Sequence, residues 1–111
     1  MKDNQKTFWL SYDLGLKGDY ENLYRWLDNH QAQECGNLLA VFKRDVSGDD
    51  FAEDIKNELV ANISFKDGDR IYLIWRDGKL NKGRFIVGGR KRAPWEGYAS
   101  TFEDTHVDSG V

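Results

Sequence analysis

Asp13 is the residue whose type and position most clearly suggest chemistry. It lies at the carboxyl end of an alternating segment, residues 7–14, just before a loop that contains Gly15 and Gly18. Ligands often collect at the carboxyl ends of strands in α/β sheets. A carboxylate there can ligate Mg²⁺ or Mn²⁺, and such a metal can activate water for attack on a phosphodiester. Asp13 is therefore a candidate metal ligand and catalytic residue. The alternative is that it caps the loop or a helix amide.

A second candidate is the run of basic residues between positions 76 and 92. The formal net charge of the chain is -3, yet this run holds seven basic residues and one acidic residue, Asp77. The net charge argues against a general polyanion binder, whereas the local cluster permits salt-sensitive contacts with phosphates. The alternative is a solvated edge strand, because Lys and Arg protect sheet edges from aggregation. The predicted nucleic-acid-binding residues are Arg76, Lys79, Lys82, Arg84, Arg90, Lys91 and Arg92.

Aromatic residues close to this run extend the same hypothesis. Phe85, Trp95 and Tyr98 could stack on exposed bases. Cys35 is the single cysteine, so no internal disulfide can form. It lies beside an apolar segment, and we expect it to be a small buried side chain. The lack of disulfides and the polar first residues together predict a cytoplasmic protein. No stretch approaches the ~18 apolar residues of a membrane span.

The elements that must position these residues follow from periodicity and from turn residues. A length of 111 residues with 40% hydrophobic and 14% aromatic content fits one folded domain. Period-two alternation predicts strands at residues 7–14, 70–75 and 82–87. Asp19 is expected to cap a helix that ends at Asn29. Asp50, with Glu53 three residues later, is expected to cap a second helix that ends near Asn62.

The segment between these helices permits two interpretations. Gly36-Asn37 can be a tight hairpin turn between strands 32–35 and 38–43, or a bulge in one long strand. We favour two paired strands. The resulting order predicts an α+β, ferredoxin-like (βαββαβ) sandwich with an extra C-terminal strand and both helices on one sheet face. Residues 1–98 would form this domain, and residues 99–111 a disordered acidic tail.

Two short motifs carry a resemblance to a known family. The first predicted strand ends in Tyr12-Asp13, and a later strand contains Val41-Phe42. A Tyr-Asp pair and a Val-Phe pair at these places are typical of the ferredoxin-like protein of the CRISPR adaptation complex and of the virulence-associated protein D toxins. The chain resembles this superfamily over roughly residues 7–75.

The resemblance implies a homodimer in which the strand-end aspartates of two subunits face each other across a cleft. Some members are magnesium-dependent endonucleases, and others bind duplex DNA as scaffolds. Asp13 is the only residue of this chain that the resemblance implies as a metal ligand. An adaptation complex or an antitoxin would then be a partner, although a stand-alone relative is equally compatible with the motifs.

These observations lead to one functional hypothesis with alternatives. The chain is predicted to be a nucleic-acid-associated ferredoxin-like dimer, with endonuclease activity on RNA or DNA if Asp13 binds a metal. The alternatives are a non-enzymatic nucleic-acid-binding scaffold and a protein-interaction module of the same fold. A dimer would also cover the sheet face that the helices leave open.

Overall fold

The protein is an α+β chain in which five strands form one antiparallel sheet. A computed structural model describes residues 5–99. The strands are β1 (Gln5–Asp13), β2 (Gln33–Glu34), β3 (Leu39–Asp45), β4 (Arg70–Asp77) and β5 (Leu80–Val87), and the helices are α1 (Tyr20–Asn29) and α2 (Phe51–Asn62). The order across the sheet is β2-β3-β1-β4-β5. This arrangement is consistent with the predicted ferredoxin-like fold.

The core forms between the two helices and one face of the sheet. Phe8 lies opposite Phe42 on one side and Trp75 on the other, and all three side chains are buried. Residues that pair directly across antiparallel strands point to the same face, so this row defines the helix-bearing face. The helices contribute buried residues to the same cluster, namely Leu23, Trp26, Leu27, Ala52, Ile55 and Leu59.

The connection between the helices contains the predicted hairpin. β2 pairs antiparallel with β3, and Leu39 N–H donates to Gly36 O across the turn at 3.2 Å. Gly36 has φ 148° and Leu38 has φ 60°, so the turn uses left-handed backbone. The expectation that Cys35 is buried is wrong, because this short edge strand ends away from the core and leaves the thiol exposed.

The two predicted helix caps have different outcomes. The Asp19 carboxylate caps α1, since it accepts a hydrogen bond from Asn22 N–H. It also accepts from Ser64 N–H at 2.9 Å, and this bond is the main reason why the pKa of Asp19 is lowered. The prediction that Asp50 caps α2 in the same way is wrong: its side chain makes no capping hydrogen bond. Glu53 and Asp54 place negative charge in the first turn instead.

No helix within residues 5–99 has the length and apolar character needed to cross a membrane. The tail predicted at residues 99–111 lies outside the described residues, except for Ala99.

A buried carboxylate joins two turns at one end of the sheet. Asp69 is only 3% exposed. Its Oδ1 accepts from Gly15 N–H at 3.0 Å, and its Oδ2 accepts from Lys66 N–H at 2.8 Å. One side chain therefore holds the loop after β1 against the turn before β4.

Replacement of Asp69 by Ala should destabilise the fold markedly. Two backbone N–H groups would lose their partner, and a buried unsatisfied donor costs about 1–3 kcal/mol. We expect the free energy of unfolding from urea denaturation to fall by roughly 2 kcal/mol or more. Asp67→Ala, at an exposed position in the same turn, is the matched control. Equal stability of the two variants would contradict the role given to Asp69.

Candidate nucleic-acid interface

The sheet face opposite the helices carries a row of half-buried apolar and aromatic side chains. Trp9 lies opposite Val41 and Ile74. It directly follows Phe8 in β1, so its side chain points to the face opposite the buried row. Tyr72 lies opposite Phe85 on β5. We call this surface the open face. Its basic residues, by the same register, are Lys43, Arg70 and Arg76.

Asp13 lies at one end of the open face and forms an ion pair across the strands. Arg70, its partner in the β1–β4 register, donates from Nη2 to Asp13 Oδ2 at 2.8 Å and from Nε at 3.3 Å. The Asp13 side chain is 51% exposed and that of Arg70 is 27% exposed. The Arg70 guanidinium carbon also lies 5.8 Å from the centre of the Phe85 ring, a cation–π distance.

Tyr72 and Phe85 form the aromatic part of the same end. Their ring centres are 4.8 Å apart with an interplanar angle of 72°, which is an edge-to-face contact. Gly83 leaves room for the tyrosine ring to lie against the β5 backbone. A Cβ at Gly83 would come within 2.7 Å of Tyr72 Cε2 and 2.8 Å of its hydroxyl oxygen. This glycine therefore fixes where the Tyr72 ring can lie.

These side chains enclose a small cleft on the open face. It measures about 130 Å³ and is lined by Ser11, Asp13, Arg70, Tyr72 and Phe85. The lining comes from three neighbouring strands and combines aromatic rings, a hydroxyl, a carboxylate and a guanidinium. Such a cleft can stack a planar group and hydrogen-bond its edge.

The predicted metal site has no further ligands among the residues that the structure describes. Among residues 5–99, no group of three or more His, Cys, Asp or Glu side chains is placed to hold a metal ion. The neighbour of Asp13 is the cationic Arg70, which supplies positive charge where a metal would. The family resemblance implies that the Asp13 of a second subunit would be a further ligand. That arrangement and the dimer stay predictions.

The structure divides the seven predicted nucleic-acid-binding residues between different surfaces. Arg76 belongs to the open face, where its Nε donates to Gly78 O. Lys82 and Arg84 lie opposite Trp75 and Leu73, so they extend toward the helix-bearing side. The remaining four are exposed in the turn before β5 or in the segment after it, and they are Lys79, Arg90, Lys91 and Arg92.

Ion pairs partly neutralise this basic run. Lys82 Nζ lies 2.8 Å from Asp77 Oδ2, and this bond lowers the pKa of Asp77. Arg84 Nη2 lies 3.8 Å from a carboxylate oxygen of Glu53 on α2, and Arg92 lies 3.9 Å from Glu96. The other four cations of the run are exposed and form no ion pair with the residues that the structure describes: Arg76, Lys79, Arg90 and Lys91. The run is therefore several small groups of cations and not one patch.

Several residues of the open face were absent from the sequence-based prediction. Of the three aromatic residues predicted to stack, Phe85 lies on the open face, while Trp95 and Tyr98 are exposed beyond β5. Trp9 and Tyr72 were not among the residues predicted to bind nucleic acid. The signal that could have found them is their period-two spacing with Ser11, Asp13 and Arg70 on the same face.

In comparisons with known proteins, no family model, curated protein or solved structure matches the chain.

The position of the Tyr72 ring can be tested through Gly83. Gly83→Ala is compatible with extended strand backbone and should leave the free energy of unfolding within about 1 kcal/mol of wild type. The new methyl group would displace the Tyr72 ring from β5. We expect weaker nuclear Overhauser contacts between the Tyr72 and Phe85 rings. Gly89→Ala, where nothing lies within 4 Å, is the matched control. Unchanged ring contacts in Gly83→Ala would show that Tyr72 lies elsewhere.

Proposed function

We propose that the chain is a ferredoxin-like domain, with β5 added beside β4, that binds single-stranded nucleic acid on its open face. The observation that carries the proposal is the placement of Trp9, Tyr72 and Phe85 on a sheet face that also holds Lys43, Arg70 and Arg76. Bases of a single strand can stack on aromatic side chains, because every base has a π-face. Lysine and arginine beside those rings can contact the phosphates between them.

The shape of the face favours a single strand over a duplex. In a duplex the faces of the bases are stacked on one another and are not available to rings on the surface of a sheet. Unstacked bases can lie on such a surface while their edges reach polar side chains. The open face offers a stacking surface and polar groups together, since the half-buried rings of the cleft lie beside Ser11 and Asp13.

The charge of the face favours modest affinity and strong dependence on the rings. Two of its cations already have partners, because Arg70 pairs with Asp13 and Arg76 donates to Gly78 O. Lys43 forms no ion pair within residues 5–99 and is exposed. Exposed cations of the segment after β5, such as Arg90 and Lys91, would extend the path of the backbone.

The proposal predicts that loss of one ring weakens binding of an oligonucleotide. Stacking of a base on an aromatic residue contributes about 1–3 kcal/mol, so Tyr72→Ala should weaken binding roughly fivefold to a hundredfold. Fluorescence anisotropy with labelled oligodeoxythymidylate and oligouridylate would measure this. Tyr24→Ala, which removes a 51% exposed tyrosine from α1, is the matched control.

The same titration repeated at increasing salt separates nucleic-acid binding from protein interaction. Each lost phosphate contact should reduce the slope of log affinity against log salt by about 0.7 for a single strand. Lys43→Gln should show this reduction, and Lys56→Gln on α2 should not. Failure of the wild-type protein to bind any of these oligonucleotides would contradict the proposal and favour a protein-interaction module.

Sedimentation analysis of the free protein would test the predicted homodimer.

The endonuclease prediction has its own test on the same substrates. If two Asp13 carboxylates share Mg²⁺ or Mn²⁺ in a dimer, the wild-type protein should cut RNA or DNA only with the metal, and Asp13→Asn should abolish cutting. The folding of the variant is checked by circular dichroism. Binding without cleavage would make the protein a scaffold, and equal cleavage by both proteins would exclude Asp13 as the metal ligand.

A further inference from the structure

We infer that the cleft at the end of the open face selects guanine, an inference that rests on the proposed function. The cleft, lined by Ser11, Asp13, Arg70, Tyr72 and Phe85, measures about 130 Å³. Pockets for drug-sized ligands are larger, at roughly 300–1,000 Å³. The cleft therefore suits one planar heterocycle, with the rest of a nucleotide outside it.

The polar groups of the cleft include an acceptor and a donor side chain that contact each other. Asp13 is half exposed, and its two carboxylate oxygens can only accept hydrogen bonds when the side chain is ionised. Arg70 donates from Nη2 to Asp13 Oδ2 at 2.8 Å, so a guanidinium donor group lies directly beside the acceptors. This pair uses Nε and Nη2 of Arg70 and leaves Nη1 to donate to a ligand. The ion pair therefore presents two acceptor oxygens next to a guanidinium that still has free N–H groups to donate.

Guanine is the base whose edge best complements a carboxylate beside a guanidinium. Its Watson–Crick edge presents the N2 amino group, the N1–H group and the O6 oxygen, which are donor, donor and acceptor. Adenine and cytosine present one amino donor beside a ring-nitrogen acceptor, and that acceptor would face the carboxylate. Uracil and thymine present one N–H group between two carbonyl oxygens. Only guanine offers two adjacent donors to one carboxylate.

The aromatic side of the cleft supplies the stacking surface. Tyr72 and Phe85 are 4.8 Å apart between ring centres, and the Arg70 guanidinium lies 5.8 Å from the Phe85 ring centre. Guanidinium planes and aromatic rings both stack on bases. The edge-to-face contact of the two rings and the ion pair with Asp13 hold these surfaces in place before a ligand enters.

The test compares oligodeoxythymidylates that differ in one central base, which is guanine, hypoxanthine, adenine or cytosine. We expect the wild-type protein to bind the guanine oligonucleotide roughly tenfold more tightly than the adenine one, the discrimination of a good bidentate contact. Hypoxanthine lacks the N2 amino group and should lie between them. Asp13→Asn presents a donor where guanine needs an acceptor and should lose the preference. Asp45→Asn, which changes an open-face carboxylate outside the cleft, should retain it.

Each outcome has a distinct meaning. Binding of all four oligonucleotides with equal affinity would overturn guanine selection and leave the proposed function intact. No binding of any oligonucleotide would overturn both. A guanine preference that persists in Asp13→Asn would also overturn the inference, because it would assign recognition elsewhere. Titration with guanosine and adenosine monophosphates tests whether the cleft needs a strand. If free guanosine monophosphate bound more tightly than adenosine monophosphate and as tightly as the guanine oligonucleotide, the cleft would be a site for nucleotides and not for a strand. That result would contradict the inference.

Discussion

The buried carboxylate of Asp69 determines how the end of the sheet that carries Asp13 is built. One oxygen holds the N–H group of Gly15 after β1, and the other holds that of Lys66 before β4. Asp69 directly precedes Arg70, and Gly15 follows Asp13 by two residues, so one side chain positions both partners of the surface ion pair. A carboxylate that is 3% exposed is costly unless it is hydrogen-bonded. The two loops and the ion pair that they carry are therefore fixed together.

A second feature that shapes the molecule is the alternation of apolar side chains along the central strands, which gives the sheet two apolar faces. The face with Phe8, Phe42 and Trp75 is covered by the helices, whereas the face with Trp9 and Tyr72 is only half buried. Apolar surface left in water forgoes about 25 cal/mol for each Å². A stacked base or a second chain on the open face would recover part of this free energy. The same surface can thus serve both the proposed binding and the predicted dimer, and the two would compete for it.

Periodicity and turn residues were sufficient to predict the elements but not their environment. The seven elements, the hairpin at Gly36 and the cap at Asp19 all follow from local patterns. The burial of Asp69, the pairing of Arg70 with Asp13 and the exposure of Cys35 depend on register between distant strands, which local patterns do not determine. The basic run was predicted as one cluster because its residues are close in sequence. In β5, however, Lys82 and Arg84 share the helix-bearing side.

The ion pair with Arg70 leaves the Asp13 carboxylate available to a ligand. An ion pair between side chains that are 51% and 27% exposed contributes about 0–1 kcal/mol, because water screens it. A ligand that offers Asp13 better partners can therefore share or replace Arg70 at little cost. A divalent cation would have to compete with a guanidinium that stays next to it, whereas a base edge can use the carboxylate and the guanidinium together. The ion pair with Arg70 thus supports the proposed recognition of a base, and a metal at Asp13 stays a prediction.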